Sequence, residues 1–216
     1  MTRITGNDIV ALDAIDRMRT REPRFYSKIL SGGEKELFCR TKGMGLVFDE
    51  FVWLAWSVKE SAYKCLKRNR PALLFFPTKC IVEQVCYGSA GSCRGRAVWG
   101  SQVLYFRSVI HPRYLSTVVS EKEEFVDHYW ATARIGLSSY AAQSAAVREL
   151  VLKQLGAVYP GMSWRIIKDR AGCPMAVAED AGTEIPVSLA HHGHYIAYSF
   201  VSEGPNPGVI STPVFI

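Results

Sequence analysis

Apolar positions recur along the chain with two periods, one near 3.6 residues and one near 2, and they switch at punctuated points. Ile4, Ile9 and Val10 read as a short strand within 4–12, running into an amphipathic helix through Ile15 and Met18 that ends before Pro23. The next stretch, Glu50 to Lys67, predicts a long helix capped by Asp49 and stopped by Asn69 to Pro71. Phe51, Val52, Leu54, Trp56, Val58, Ala62 and Leu66 make it apolar on several sides, so it should be buried. From Lys79 to Val119 the alternation predicts an antiparallel meander: strands at 80–86, 95–98, 103–106 and 114–119, with turns at Gly88–Gly91 and Trp99–Gly100.

A charged stretch, Glu121–Glu124, reads as a linker. Beyond it a helix starts near Ser138 or Ser139, runs through Ala141–Leu155 and stops at Gly156; strands return at 164–168, 186–189 and 195–201. Ser108-Val-Ile-His111 before Tyr114–Ser120 is echoed by Ser188-Leu-Ala-His191 before Tyr195–Ser202, an offset of 191 − 111 = 80. The expectation is an α+β fold made of one unit used twice, a long helix packed on a small antiparallel sheet. Residues 1–120 and 121–216 would form the two repeats of one compact body.

Composition narrows the function classes. The 216 residues suffice for one large or two small domains, and 48% apolar with 21% charged residues excludes a disordered chain. The longest apolar stretches, Phe51–Trp56 and Ala72–Phe76, fall far short of the ~20 residues a membrane helix needs, and the N-terminus shows no signal-peptide run; a cytoplasmic location is expected. Six cysteines lack any CxxC pair, which argues for reduced thiols rather than disulfides or zinc. The 26 basic against 20 acidic side chains leave +6, a field that favours an anionic partner. Without a helix-turn-helix, zinc-finger or RNP-type motif, nucleic acid is not the expected one.

Three groups of residues could carry chemistry. Asp8 sits where a strand is expected to hand over to a helix, a place that holds a carboxylate rigidly, although a helix N-cap is the plainer use of such an Asp. Glu60 and Lys64 are four apart, neighbours on one helix face. On an exposed helix they would be a surface ion pair; on an apolar one, Lys59, Glu60 and Lys64 need a cleft, metal or anion to receive them. Asp8 with Glu60 suits Mg²⁺, a hard ion that takes oxygen ligands and keeps waters. His191 could donate to a phosphate, and because His191 and His192 alternate along a strand they should not serve one ion.

Taken in order, these motifs resemble the 4'-phosphopantetheinyl transferase superfamily. Gly6-Asn-Asp8 is similar to its G-x-D strand end, and Trp56-Ser-Val-Lys59-Glu60-Ser-Ala-Tyr-Lys64 to its W-x-x-K-E-[SA]-x-x-K helix. Pro186-Val-Ser188-Leu-Ala-His191 resembles its S-x-S-H strand, and Ala171-Gly-Cys173-Pro174 stands at its G-K-P turn. The chain looks like a double-length member whose halves come in reversed order, with the carboxylates first and the histidine strand second, so a monomer with one site between its halves is implied. The resemblance implies Mg²⁺-dependent transfer of phosphopantetheine from coenzyme A to a serine of an apo acyl or peptidyl carrier protein, of the holo-acyl-carrier-protein synthase type, serving fatty acid or polyketide biosynthesis. It assigns the metal to Asp8 and Glu60, catalysis to Glu60 and Lys64, and coenzyme A binding to Lys64, Ser188 and His191; Arg170 is a further candidate for the nucleotide beside Lys122, Arg134 and Lys168. Glu60, directly or through a water on the metal, is the candidate base.

The departures matter as well. Val10 stands where double-length members often carry a third metal carboxylate; Cys173 replaces the lysine of the turn and Ala190 the serine before the histidine. They leave open an alternative, a non-catalytic coenzyme A or carrier-binding module on the same fold. Arg17, Arg21 and Arg24, with Arg19, could dock an acidic carrier or simply form a solvated basic face. His111 reads as a structural relic.

Overall fold

The computed structural model describes residues 4–41, 45–178 and 182–202 together with the backbone of 214–215. The chain opens with strand β1 (Thr5–Ala11) and three helices, α1 (Arg17–Thr20), α2 (Pro23–Tyr26) and α3 (Gly32–Thr41). The long helix α4 (Phe48–Lys67) leads into β2 (Cys80–Tyr87), β3 (Ser92–Trp99), β4 (Gln102–His111) and β5 (Tyr114–Ser120). The remainder comprises β6 (His128–Arg134), helix α5 (Tyr140–Val158), β7 (Trp164–Lys168), β8 (Pro174–Ala178), β9 (Thr183–His192), β10 (Tyr195–Val201) and β11 (Val214–Phe215).

The result is a mixed fold of two sheets, ordered β1-β5-β4-β3-β2 and β11-β6-β10-β9-β8-β7, antiparallel except where β11 lies parallel to β6. Leaving β11 aside, both sheets place their first strand beside their fifth and then descend to their second. Helix α4 covers one face of the first sheet, and burial of side chains such as Phe51, Leu54 and Leu66 on Leu104, Phe106 and Leu115 stabilises the union by roughly 1.5–3 kcal/mol each. Helix α5 covers the second sheet through Val147, Val151 and Leu155. A third, smaller cluster seals the seam where β1 meets β9 and β10: Ile9, Ala11, Tyr114, Ala190, Tyr195 and Ala197. Backbone groups cross it too, with the Asn7 amide donating to Ser188 Oγ at 3.0 Å and the Ala11 amide to His192 Nδ1 at 3.1 Å.

Several sequence expectations shift. The helix foreseen after the first strand is broken into the one-turn α1 and α2, because Asp16 caps a fresh start by accepting from the Arg19 amide and Pro23 begins another. Helix α4 starts at Phe48, and Asp49 caps nothing: its carboxylate accepts two bonds from the Arg21 guanidinium at 2.7 and 2.9 Å. Gly156 lies inside α5, whose cap is Tyr159, while Ser139 caps the start as expected. The helix α3 and the strands β6 and β8 were not foreseen. The hairpin register also revises the internal match. His111 pairs with Tyr114 and His192 with Tyr195, so the offset between the hairpins is 192 − 111 = 81, and His192 rather than His191 occupies the place of His111. A slip of one residue exchanges the two faces of a strand.

Candidate functional site

Gly6 explains how β1 and α4 come close enough to build a site. A Cβ at this position would collide with the Ser61 carbonyl and lie 2.6 Å from the Cys65 amide, so only glycine lets the strand touch the helix. Asp8 and Val10, two and four residues on, share that face; Asp8 lies in the middle of β1 rather than at a hand-over to a helix, because the strand continues to Ala11. Asp8 thus meets the last turns of α4, where Lys64 Nζ lies 3.4 Å from Asp8 Oδ1, 3.8 Å from Glu60 Oε1 and 3.0 Å from the Asn7 carbonyl oxygen. Two carboxylates 52 positions apart in sequence therefore converge on one ammonium group.

The cluster is incompletely satisfied. Asp8 is 8% exposed and its Oδ2 is buried without a hydrogen-bond partner among the described residues. Burial pushes the Glu60 carboxyl above the usual carboxylate range, Lys64 pulls it down and the Asp8 charge adds to the rise. These groups open into a cleft of about 560 Å³ whose other wall is β9, with Leu189, Ala190, His191 and His192. Trp53, Trp56 and Phe75 give it an aromatic flank.

His191 reaches this cleft from the second sheet, with its ring edge-on to Tyr140 at 5.2 Å. Burial first, then Lys64 and His192, lower its pKa, so the free imidazole is neutral at pH 7. His192 borders the same cleft, but its Nδ1 already accepts from the Ala11 amide. Val10 is 1% exposed and lines the cleft as a hydrocarbon. Among the described residues no cluster of three or more His, Cys, Asp and Glu side chains is arranged to hold a metal, and Asp8 with Glu60 remains a pair.

Lys64 and Leu189 also border an adjoining lobe of about 240 Å³, lined by Tyr63, Lys67, Arg68, Ser188 and the turn Ala171–Pro174. Arg68 anchors that turn: it pairs with Asp169 at 2.9 Å and donates to the Pro174 and Val187 carbonyls, while Asp169 accepts from the Ala171 and Cys173 amides. Cys173 lines the lobe and Ser188 offers it a hydroxyl, whereas Arg170 is exposed on the same turn and is not among the lining residues. Lys67 Nζ donates to the Pro71 and Leu73 carbonyls.

Two groups behave differently from their sequence setting. Lys59, adjacent to Glu60, turns to the far side of α4, where it is fully buried against Glu34 at 2.8 Å. Arg17 and Arg21 both face the buried Asp49, at 3.7 and 2.7 Å, while Arg24 is exposed with no ion-pair partner among the described residues and Met18 is 78% exposed beside them. Trp53, Phe75, Tyr140, Lys67 and Arg68 were not singled out as site residues in the sequence, and Trp56 entered the site motifs only as the first letter of the helix motif. Trp53, Trp56 and Lys67 fall at helical spacings from Glu60 and Lys64, the one signal that could have found them.

No helix among the described residues is long and apolar enough to cross a membrane. No curated protein matches the chain. Residues 4–94, which carry Gly6, Asp8, Lys59, Glu60 and Lys64, match the sequence model of the 4'-phosphopantetheinyl transferase superfamily, so this segment of the chain is similar to that superfamily.

Proposed function

We propose that the chain transfers 4'-phosphopantetheine from coenzyme A to a serine hydroxyl of an acyl or peptidyl carrier protein, releasing adenosine 3',5'-bisphosphate. The observation that carries this reading is the convergence of Asp8 and Glu60 on Lys64, with Asp8 Oδ2 buried and unpartnered among the described residues, in a cleft bordered by His191 from the other sheet. An orphaned carboxylate oxygen beside a second carboxylate fits a hard divalent cation that completes its shell with water and phosphate oxygens. Asp8 and Glu60 are the residues that would hold Mg²⁺, and the bound ion would neutralise pyrophosphate charge.

The remaining work falls to the chain's own side chains. The carrier serine oxygen forms a bond to the β-phosphorus as the bridging oxygen–phosphorus bond breaks, and adenosine 3',5'-bisphosphate leaves with the electron pair. Glu60, whose affinity for a proton is raised by burial, accepts the serine proton. Lys64 faces the charge that develops on the leaving phosphate. His191 and Ser188 contact the nucleotide phosphates, with Lys67 and the 171–174 turn bordering the lobe that receives them. Arg170, exposed on that turn, acts on the approaching nucleotide through its charge.

We read the two halves, 1–120 and 121–216, as copies of one unit, a reading supported by their common strand order and by hairpins offset by 81. The carrier docks on α1 and α2, where Arg24 and the exposed Met18 accompany Arg17 and Arg21. Incubation with coenzyme A, Mg²⁺ and a panel of apo carrier proteins, read by intact mass, should show the gain of one phosphopantetheine arm, abolished by a chelator. Coenzyme A binding with no mass gain on any carrier would instead favour the non-catalytic module.

A further inference from the structure

The face of the first sheet that α4 does not cover carries a second cavity, of about 710 Å³, built from the β2–β3 hairpin, β4 and the side chain or backbone of Trp130 on β6. These are the places in one sheet that correspond to the elements of the small lobe in the other, where the β7–β8 turn, β9 and β1 meet. The hairpin tip folds over β4: a Cβ on Gly91 would strike the Ile110 carbonyl, and both Ala90 and Gly91 hold left-handed backbone, with φ of 53° and 71°. Left-handed alanine costs energy, so the tip is held there by its surroundings.

Arg94 and Arg107 stand directly opposite each other across β3 and β4 and both line this cavity. Like charges in that relation destabilise a sheet. The neighbouring Arg96 has a carboxylate, Glu83 at 3.0 Å, but neither Arg94 nor Arg107 has an ion-pair partner among the described residues. Arg107 rests instead over the Phe125 ring, 4.7 Å from its centroid, and the Phe125 ring lies 6.3 Å from that of Trp130. Burial and the Arg94 charge together lower the Arg107 pKa, the signature of a cation set beside another cation.

We propose that this cavity binds a phosphate ester carried on a planar ring, a nucleotide in chemical class, with Arg94 and Arg107 on the phosphate and Trp130 against the ring. Two adjacent guanidinium forks match the oxygens of a dianion and relieve their own repulsion by binding it. A cavity of this size exceeds what inorganic phosphate needs and falls within the ~300–1,000 Å³ range of small-molecule sites. Ser89 and Ser92 supply hydroxyls at its rim. The site is separate from the cleft of Asp8, Glu60 and Lys64, and the proposal does not depend on the transferase reading.

The test is calorimetric titration of the full-length protein with ADP in metal-free buffer. The parent should bind two equivalents; Arg94→Gln with Arg107→Gln should weaken one of them by about tenfold or more and leave the other, while Lys64→Gln does the converse. ADP should raise the melting temperature of the parent more than inorganic phosphate does, and in the arginine double variant that surplus should disappear. The double variant should melt no lower than the parent without ligand, since it loses a repulsion, and its phosphopantetheinyl transfer should be unchanged. Binding of ADP that is identical in parent and double variant overturns the proposal, as does an equal response to inorganic phosphate. Loss of carrier-protein affinity in the double variant with ADP binding intact also overturns it, marking the face as a protein-docking surface. Transfer that fails while both ADP sites persist overturns the transferase reading alone.

Discussion

Helix α4 carries two lysine–carboxylate clusters five residues apart, and they could hardly be more different. Lys59 and Glu34 are both 0% exposed and complete: Lys59 Nζ donates to Glu34 Oε2 and to the Ile29 carbonyl at 2.6 Å, and Glu34 accepts from the amides of Ser31 and Val82. Lys64, on another side of the helix, is 26% exposed and serves two carboxylates at 3.4 and 3.8 Å, while Asp8 Oδ2 accepts from nothing among the described residues. A buried network with every partner in place fixes α3, β2 and the 29–31 segment to the helix. A network left short of a partner, opening into a cleft, has room for a ligand. The same motif, Lys59-Glu60-Ser-Ala-Tyr-Lys64, thus supplies a scaffold with its first residue and lines the cleft with Glu60 and Lys64, to which the proposed function gives the chemistry.

The largest effect should come from breaking the complete cluster. Lys59→Met leaves the Glu34 carboxylate buried and unpaired, which should cost about 3–5 kcal/mol of stability, read as a lower urea midpoint; pairing it with Glu34→Leu should recover much of the loss. Glu60→Gln should do the reverse, leaving the fold intact and lowering kcat/KM for transfer by about 10²–10⁴. Its stability carries a pH signature. Because the folded pKa of Glu60 lies above its unfolded value, ionising it costs stability as pH rises through that interval. The Gln variant should therefore melt slightly above the parent at pH 7, and the gap should close as pH falls below the unfolded carboxylate pKa.

Among the basic residues of α1 and α2, Arg24→Glu should raise the KM for the carrier by about tenfold with little change for coenzyme A. Arg21→Glu is a poorer probe, because it strips the buried Asp49 of its bidentate partner and mixes docking with stability. The smallest effect concerns His191. With its pKa lowered in the free protein, it should gain a proton on meeting phosphates if it contacts them as proposed, so coenzyme A should bind a few-fold more tightly at pH 6 than at pH 8, and His191→Ala should flatten that slope.

The chain itself announced α4 and the meander, since a 20-residue apolar helix and hairpins punctuated at Gly88–Gly91 and Gly100 are written in local periodicity. Asp8, Glu60 and Lys64 were legible because a glycine and a four-residue spacing mark them. What stayed hidden depends on distant partners. Nothing local to Lys59 tells it from Lys64; Glu34, 25 positions away, decides the matter. Asp49 looks like a cap until Arg21 claims it, and α3, opening with Gly32-Gly33, has weak amphipathic patterning. Strand β8 begins at Pro174, which reads as a turn. The match of His111 with His191 failed by one residue because similarity of a few letters does not fix hairpin register.

The account stands on the Lys64 cluster being short of a cation. Titration of Mn²⁺ into the full-length protein with coenzyme A present, followed by loss of the free-ion electron paramagnetic resonance signal, addresses that directly. One ion should bind per chain, with Asp8→Asn and Glu60→Gln each weakening it by about tenfold or more and Arg24→Glu leaving it unchanged. Mn²⁺ binding equally well to both carboxamide variants would contradict the account.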